Sequence, residues 1–147
     1  MKTVTEKEII SDLIHNVYCR IKRSTLHGVG VFAIRPIPKG VDPFNTIVGE
    51  PEGQVMINKD LILNHPDIPE SVKSMVKDFY AIEKNQIVFP PFGLNELNIS
   101  YFMNHTDVNP NVVEGPNGNP FITTREIQAG EELLTNYHTF SEETINL

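Results

Sequence analysis

Apolar residues at Ile9, Ile10, Leu13, Ile14 and Val17 recur with the three-and-four spacing of one helical face. Thr5 precedes the run and Glu8 follows it by three positions, the form of a capping box. A helix from Thr5 to about Asn16 is predicted, either packed on the domain that follows or used as a dimer contact. Tyr18 to Arg23 alternates enough for a strand, Ser24 to His27 turns, and Gly28 to Ile34 reads as a second strand. Pro38-Lys39-Gly40 predicts a tight turn. A helix opens at Asp67-Ile68-Pro69-Glu70, with Val72, Met75, Val76 and Phe79 on its apolar face. Gln86 to Phe89 reads as a strand stopped by Pro90-Pro91. Gly115 to Pro120 is a turn-rich loop. Phe121 to Arg125 and Glu131 to Tyr137 read as strands on either side of a Gln128-Ala129-Gly130 turn.

The least interchangeable stretch runs from Tyr101 to Asn111. Three apolar residues, Tyr101, Phe102 and Met103, lead into Asn104-His105 and then a polar loop closed by Asn109-Pro110-Asn111. Asn and His carry directional donors and acceptors, and Asn tolerates turn backbone that most residues avoid. Burying such groups without partners costs a few kcal/mol, so something must bond them. A polar turn around a satisfied core histidine and a delivery of two polar side chains into a cleft both fit these residues.

Composition narrows the field. A chain of 147 residues reads as one domain with a single core. No long apolar run is present, so no membrane-spanning helix is expected, and Met1 to Glu6 lacks the apolar centre of a signal peptide. One cysteine, Cys19, fits a reducing compartment, and an intracellular location is expected: cytoplasmic, or nuclear in a eukaryote. A net charge of −7 disfavours direct nucleic-acid binding and suits a basic partner.

Two further segments combine with the central one. Leu26-His27-Gly28-Val29-Gly30-Val31-Phe32-Ala33 puts a Gly-x-Gly at a strand, without the third glycine or following helix of a dinucleotide fingerprint. Gly130-Glu131-Glu132-Leu133-Leu134-Thr135-Asn136-Tyr137 ends a strand on a tyrosine. In this order the three segments resemble the SET-domain protein lysine methyltransferases, over Tyr18 to about Gly40 and Ile99 to Tyr137. The resemblance implies a mainly β fold of several short sheets around a knot-like crossing, with the amino-terminal helix (1–17) added to a SET domain (18–147). Residues 41–98 would form a variable insert holding the second helix.

The family's chemistry is methyl transfer from S-adenosylmethionine to a lysine ε-amine. Carried over residue by residue, it implies main-chain cofactor contacts at Gly28, Val29 and Gly30. Phe102, Asn104 and His105 would bind the adenine side, and Tyr137 would be the catalytic tyrosine, itself touching the cofactor. The partner implied is a lysine-bearing protein or basic peptide tail, a histone-like tail being one option and a homodimer another. Departures are visible. Asn136 replaces the usual Asp, and Glu114 stands where an aromatic residue often borders the lysine channel. No cysteine follows Cys19, so the cysteine-rich zinc tail that closes that channel in many members is not expected here, and the five histidines lack metal-ligand spacing, so no metal site is expected. Phe140 is the candidate to close the channel in its place, held by the tail or supplied across a dimer, while Tyr80, with Phe89 and Phe92, fits either the lining of that channel or the core. Glu131 and Glu132 do not form an acid–base pair, because adjacent strand residues point to opposite faces. An inactive SET-like module that only binds peptide is the alternative reading.

Overall fold

In the computed structural model, which describes residues 3–49, 51–116 and 121–142, the capping box at Thr5 is formed. Thr5 Oγ1 accepts from Glu8 N at 3.2 Å, and Glu8 Oε2 accepts from Thr5 N at 2.9 Å. The elements in chain order are α1 (Glu6–His15), β1 (Cys19–Arg23), β2 (Val29–Ala33), β3 (Val55–Asn58), α2 (Lys59–Leu63), α3 (Glu70–Phe79), β4 (Ile82–Glu83), β5 (Gln86–Phe89), β6 (Asn104–His105), β7 (Val112–Val113), β8 (Ile122–Thr123) and β9 (Glu132–Thr135). Short 3-10 turns occupy Leu94–Glu96, Ile99–Phe102 and Tyr137–Thr139. None of the helices among the described residues is long and apolar enough to cross a membrane.

The chain divides into two compact units, Met1–Glu50 with Asn98–Asn136 and Pro51–Leu97 with Tyr137–Leu147. The first contains a four-stranded sheet in the order β1-β2-β9-β6 and the β7-β8 ribbon. β6 lies parallel to β9, with Asn104 opposite Leu134 and His105 opposite Thr135. The core of this unit gathers Cys19, Val31, Ala33, Ile37, Phe44, Met103, Val112, Ile127 and Leu133. Ile37 and Ile127, both fully buried, bond each other's backbones where two turns meet. Each turn ends on a glycine with positive φ, Gly40 at +78° and Gly130 at +90°, a conformation that L side chains avoid.

Asn111 closes the central stretch. Its side chain imitates a strand, donating from Nδ2 to Glu132 O at 2.9 Å and accepting at Oδ1 from Leu134 N at 2.8 Å. Its own N–H donates to Leu134 O. At 4% exposure, it replaces backbone pairing where β6 has ended. Asn109 takes the left-handed turn at φ +47° that Asn tolerates.

The apolar stripe of α1 is present but uncovered: Ile9, Ile10, Leu13 and Ile14 are 45–64% exposed, and no residue of the helix is buried. What ties the helix down is its last turn. Arg35 Nη1 donates to Ile14 O at 2.7 Å, and its guanidinium lies 4.8 Å from the Tyr18 ring centroid. A cation beside the carbonyl end of a helix also complements the dipole.

The second unit holds the β3-β5-β4 sheet with α2 and α3. β5 has the predicted bounds, and α3 begins at Glu70 behind Pro69, as the sequence implied. α2 and β3 went unpredicted; five helical residues are too few to show a period. The strands ending the chain are shorter than expected. β8 is Ile122–Thr123 instead of Phe121 to Arg125, and β9 stops at Thr135, two residues before Tyr137. Pro120 and most of the loop before β8 lie outside the described residues.

Candidate functional site

The first unit brings the glycine segment and the Asn-His segment together. Gly28, at φ +47°, makes the turn into β2, and a Cβ there would meet nothing within 4 Å. Gly30 lies inside β2 and is a glycine for a different reason. A Cβ at this position would stand 2.9 Å from the Glu132 carboxyl carbon and 3.1 Å from Asn104 Nδ2. Asn104, 7% exposed, reaches from β6 to the loop between β1 and β2. Its Nδ2 donates to His27 O and Val29 O, each at 3.1 Å, and to Glu132 Oε2 at 2.8 Å. Two protons therefore serve three acceptors. The Nδ2 group of Asn104 is spent on the protein, so what that group offers a ligand is the shape of the loop it holds.

His105, the next residue on β6, is oriented by Asp107, whose Oδ1 lies 2.8 Å from Nε2. Thr106 N donates to Thr135 O, and Thr106 Oγ1 exchanges hydrogen bonds with Val108 across the turn. Phe102 ends a 3-10 turn and packs partly buried against the core behind the Asn-His pair. Glu131 and Glu132 part company, although only Glu132 lies within β9 and Glu131 precedes it. Glu131 pairs with exposed Arg125 at 3.1 Å, and that bond, with the Gln128 N–H, holds its carboxyl below the ordinary carboxylate range. Glu132 turns instead to Asn104 and to Ser24 Oγ, 2.8 Å from Oε1. Ser24 did not stand out in the sequence, and Glu132 was read there only as half of a rejected acid–base pair. The available signal was weak: Glu132 shares its strand face with Leu134, and Gly30 is the residue that leaves room for it.

The second unit holds the other expected residues. Tyr137 lies in a 3-10 turn, half-buried, with its ring centroid 6.0 Å from that of Phe140. Tyr80 is 6% exposed at the end of α3 and meets Phe89 edge-on at 5.0 Å. Burial, and secondarily the charge of Glu96, pushes its phenol pKa up. The tail carrying Tyr137 and Phe140 is stitched to β4. Ser141 Oγ accepts from Ile82 N at 3.1 Å, and Glu142 N donates to Ile82 O at 2.8 Å.

These residues fit an adenosyl cofactor in one respect that the structure displays. The Gly28 turn leaves its backbone open where a side chain would otherwise stand, and its carbonyl groups are engaged inward. Residues 28–138 match the family model of the SET domain. No curated protein sequence matches this chain. Among solved structures, a candidate histone methyltransferase from Plasmodium falciparum is 23% identical over 82% of this chain and 92% of its own, with a TM-score of 0.43. ctPRC2, in an autoinhibited conformation bound to S-adenosylmethionine, is 19% identical over 94% of this chain, with a TM-score of 0.53. The chain spans 19% of the length of that ctPRC2 chain, and at this identity the likeness concerns the fold.

Proposed function

Because this chain belongs to the SET-domain family, we propose that it is an S-adenosylmethionine-dependent methyltransferase acting on a protein lysine. The observation that carries the reading is the bond pattern of Asn104, which joins the Asn-His segment to the Gly28–Gly30 segment at one place. Gly28, Val29, Gly30, Phe102, Asn104 and His105 would hold the cofactor. When bound, S-adenosylmethionine supplies an electrophilic methyl group on a sulfonium.

The chain's own contribution is to bind, orient and desolvate. Tyr137 orients the lysine amine with its hydroxyl and ring. It is not the general base, since an ordinary phenol has a pKa of about 10. Tyr80 and Phe140 contribute an apolar channel, and such a channel favours the neutral amine over the ammonium. Holding both reactants at contact distance recovers much of the barrier. The partner is a basic lysine-bearing segment, which a chain of net charge −7 attracts.

Titration calorimetry with S-adenosylmethionine tests the first half of the proposal. Gly28→Asn is the informative variant, because Asn tolerates φ +47° and its side chain would enter the open space. Wild-type binding that the variant weakens by about tenfold or more supports the site. No binding by the wild type ends the reading. Methylation of a lysine-peptide array, lost in Tyr137→Phe, tests the second half. Binding without turnover on any peptide would instead indicate an inactive peptide-binding module.

A further inference from the structure

Glu132 has no role in the chemistry described so far, yet it stands at the junction of three segments. Its carboxylate accepts from Asn104 Nδ2 at one oxygen and from Ser24 Oγ at the other, each at 2.8 Å. Ser24 Oγ in turn accepts from Leu26 N at 3.0 Å, and Ser24 N donates to Gly28 O at 2.8 Å. The carbonyls of His27, Gly28 and Val29 are thus all engaged by Asn104 or Ser24, the two residues that Glu132 holds. Gly30 completes the arrangement, since any larger residue would collide with the carboxylate.

A carboxylate is an acceptor only, so it dictates which way both partners point. It fixes the Asn104 amide with nitrogen toward the loop and oxygen away. It also commits the Ser24 hydroxyl proton, leaving the oxygen lone pairs for Leu26 N–H. We propose that Glu132 is a positioning residue for cofactor binding: through Asn104 and Ser24 it sets the backbone of residues 24–30 before any ligand arrives. This rests on the reading of that loop as the cofactor cradle, and it concerns a residue whose carboxylate is bonded to Asn104 and Ser24.

Glu132→Gln retains the size but makes one terminal atom a donor, so Asn104 and Ser24 can no longer both donate to it, and one of the two must reorient. In the full chain, S-adenosylmethionine should bind about tenfold more weakly by calorimetry. Turnover at saturating cofactor should stay within about twofold, because the effect is on the cradle and not on the reacting groups. Amide hydrogen exchange in the ligand-free protein should rise across residues 24–30 and stay unchanged in the core strands. Ser24→Ala, which removes a single partner, should move both readouts in the same direction by less. Unchanged exchange in the loop of Glu132→Gln overturns the proposal. So does a fall in turnover that parallels the loss of binding with faster exchange throughout the sheet, which marks a merely structural residue. Wild-type protein that binds no cofactor refutes the cofactor reading, while the exchange comparison still decides whether Glu132 sets the loop.

Discussion

The two units hold their polar groups in different ways. In the first, buried Asn104, Asn111 and Thr123 are bonded to partners far along the chain: Asn104 to His27, Asn111 to Glu132, Thr123 to Pro38. In the second, several side-chain bonds are local, such as Lys73 to Glu70 in α3 and the α2 cap at Asn58, and the longer-range pairing is largely made by backbone groups, in the β3–β5 ladder and from Lys59 N to Asn85 O, with Ser141 and Glu142 tying the tail to β4 and its turn. A unit assembled from distant partners must complete many contacts together, so one lost partner is felt throughout. A locally bonded unit accepts change piecemeal. The residues proposed to bind the cofactor fall, Tyr137 aside, in the first unit, and the proposed channel residues Tyr80 and Phe140 fall in the second.

The sharpest way to break the first unit is at Cys19. Burial pushes its thiol pKa from an ordinary 9.0 to about 12, and the side chain is 6% exposed within the core. Below pH 9 the thiol is protonated in both states and stability does not depend on it. Between pH 9 and 12 the unfolded chain releases the proton and the folded chain retains it, so stability falls as pH rises, by on the order of 4 kcal/mol across the window. Urea unfolding at intervals through that range should show this slope in the wild type and a shallower one in Cys19→Ala. Equal slopes would mean that the thiol ionises inside the fold.

Asn111→Asp should cost about 3 kcal/mol at neutral pH. It retains the acceptor for Leu134 N–H, removes the donor to Glu132 O and adds a buried charge beside a carbonyl. Chemical denaturation measures the loss. A change below about 1 kcal/mol would show that the first unit tolerates substitutions as the second does.

In the second unit, Ser141→Ala leaves Ile82 N–H without its acceptor in a buried position, an expected cost of about 1–2 kcal/mol. The interest lies in where the loss appears. If the stitch positions Phe140 in the lysine channel, peptide methylation should fall through KM for the peptide while cofactor affinity stays constant. Equal losses in both would separate the tail from substrate selection.

What the sequence made legible follows the same division between local and distant causes. Thr5 and Glu8 satisfy a helix end from three residues apart, and Gly40 and Gly130 relieve turn backbone at their own positions, so each could be read in place. The order of three motifs was enough to identify the family, which the match over residues 28–138 bears out. The partners of Asn104 were hidden, because no local rule tells an asparagine which carbonyl it will meet 77 positions away. Strand alternation separated Glu131 from Glu132 but could not say that Ser24 and Asn104 lie opposite the second. The apolar face of α1 was equally visible in the sequence, yet periodicity says which residues share a face and nothing about what covers it.

The smallest effect expected runs in the opposite direction. The β4–β5 hairpin turns through Lys84 and Asn85 with φ of 50° and 63°, both left-handed. A two-residue turn of that shape favours Asn followed by Gly, and a lysine in the left-handed region carries a strain that Asn largely escapes. Lys84 N donates to Glu142 Oε2 through the backbone, so changing the side chain leaves that bond in place. Replacing the pair by Lys84→Asn together with Asn85→Gly should therefore raise stability by about 0.5–1 kcal/mol, read as an upward shift in Tm. Methylation should not change, because neither side chain is proposed to meet cofactor or lysine. A gain here beside the loss at Asn111 would show that the second unit's backbone still has strain to give up. A loss instead would mean that the Lys84 side chain has a function in the insert, and the contrast between the two units would narrow.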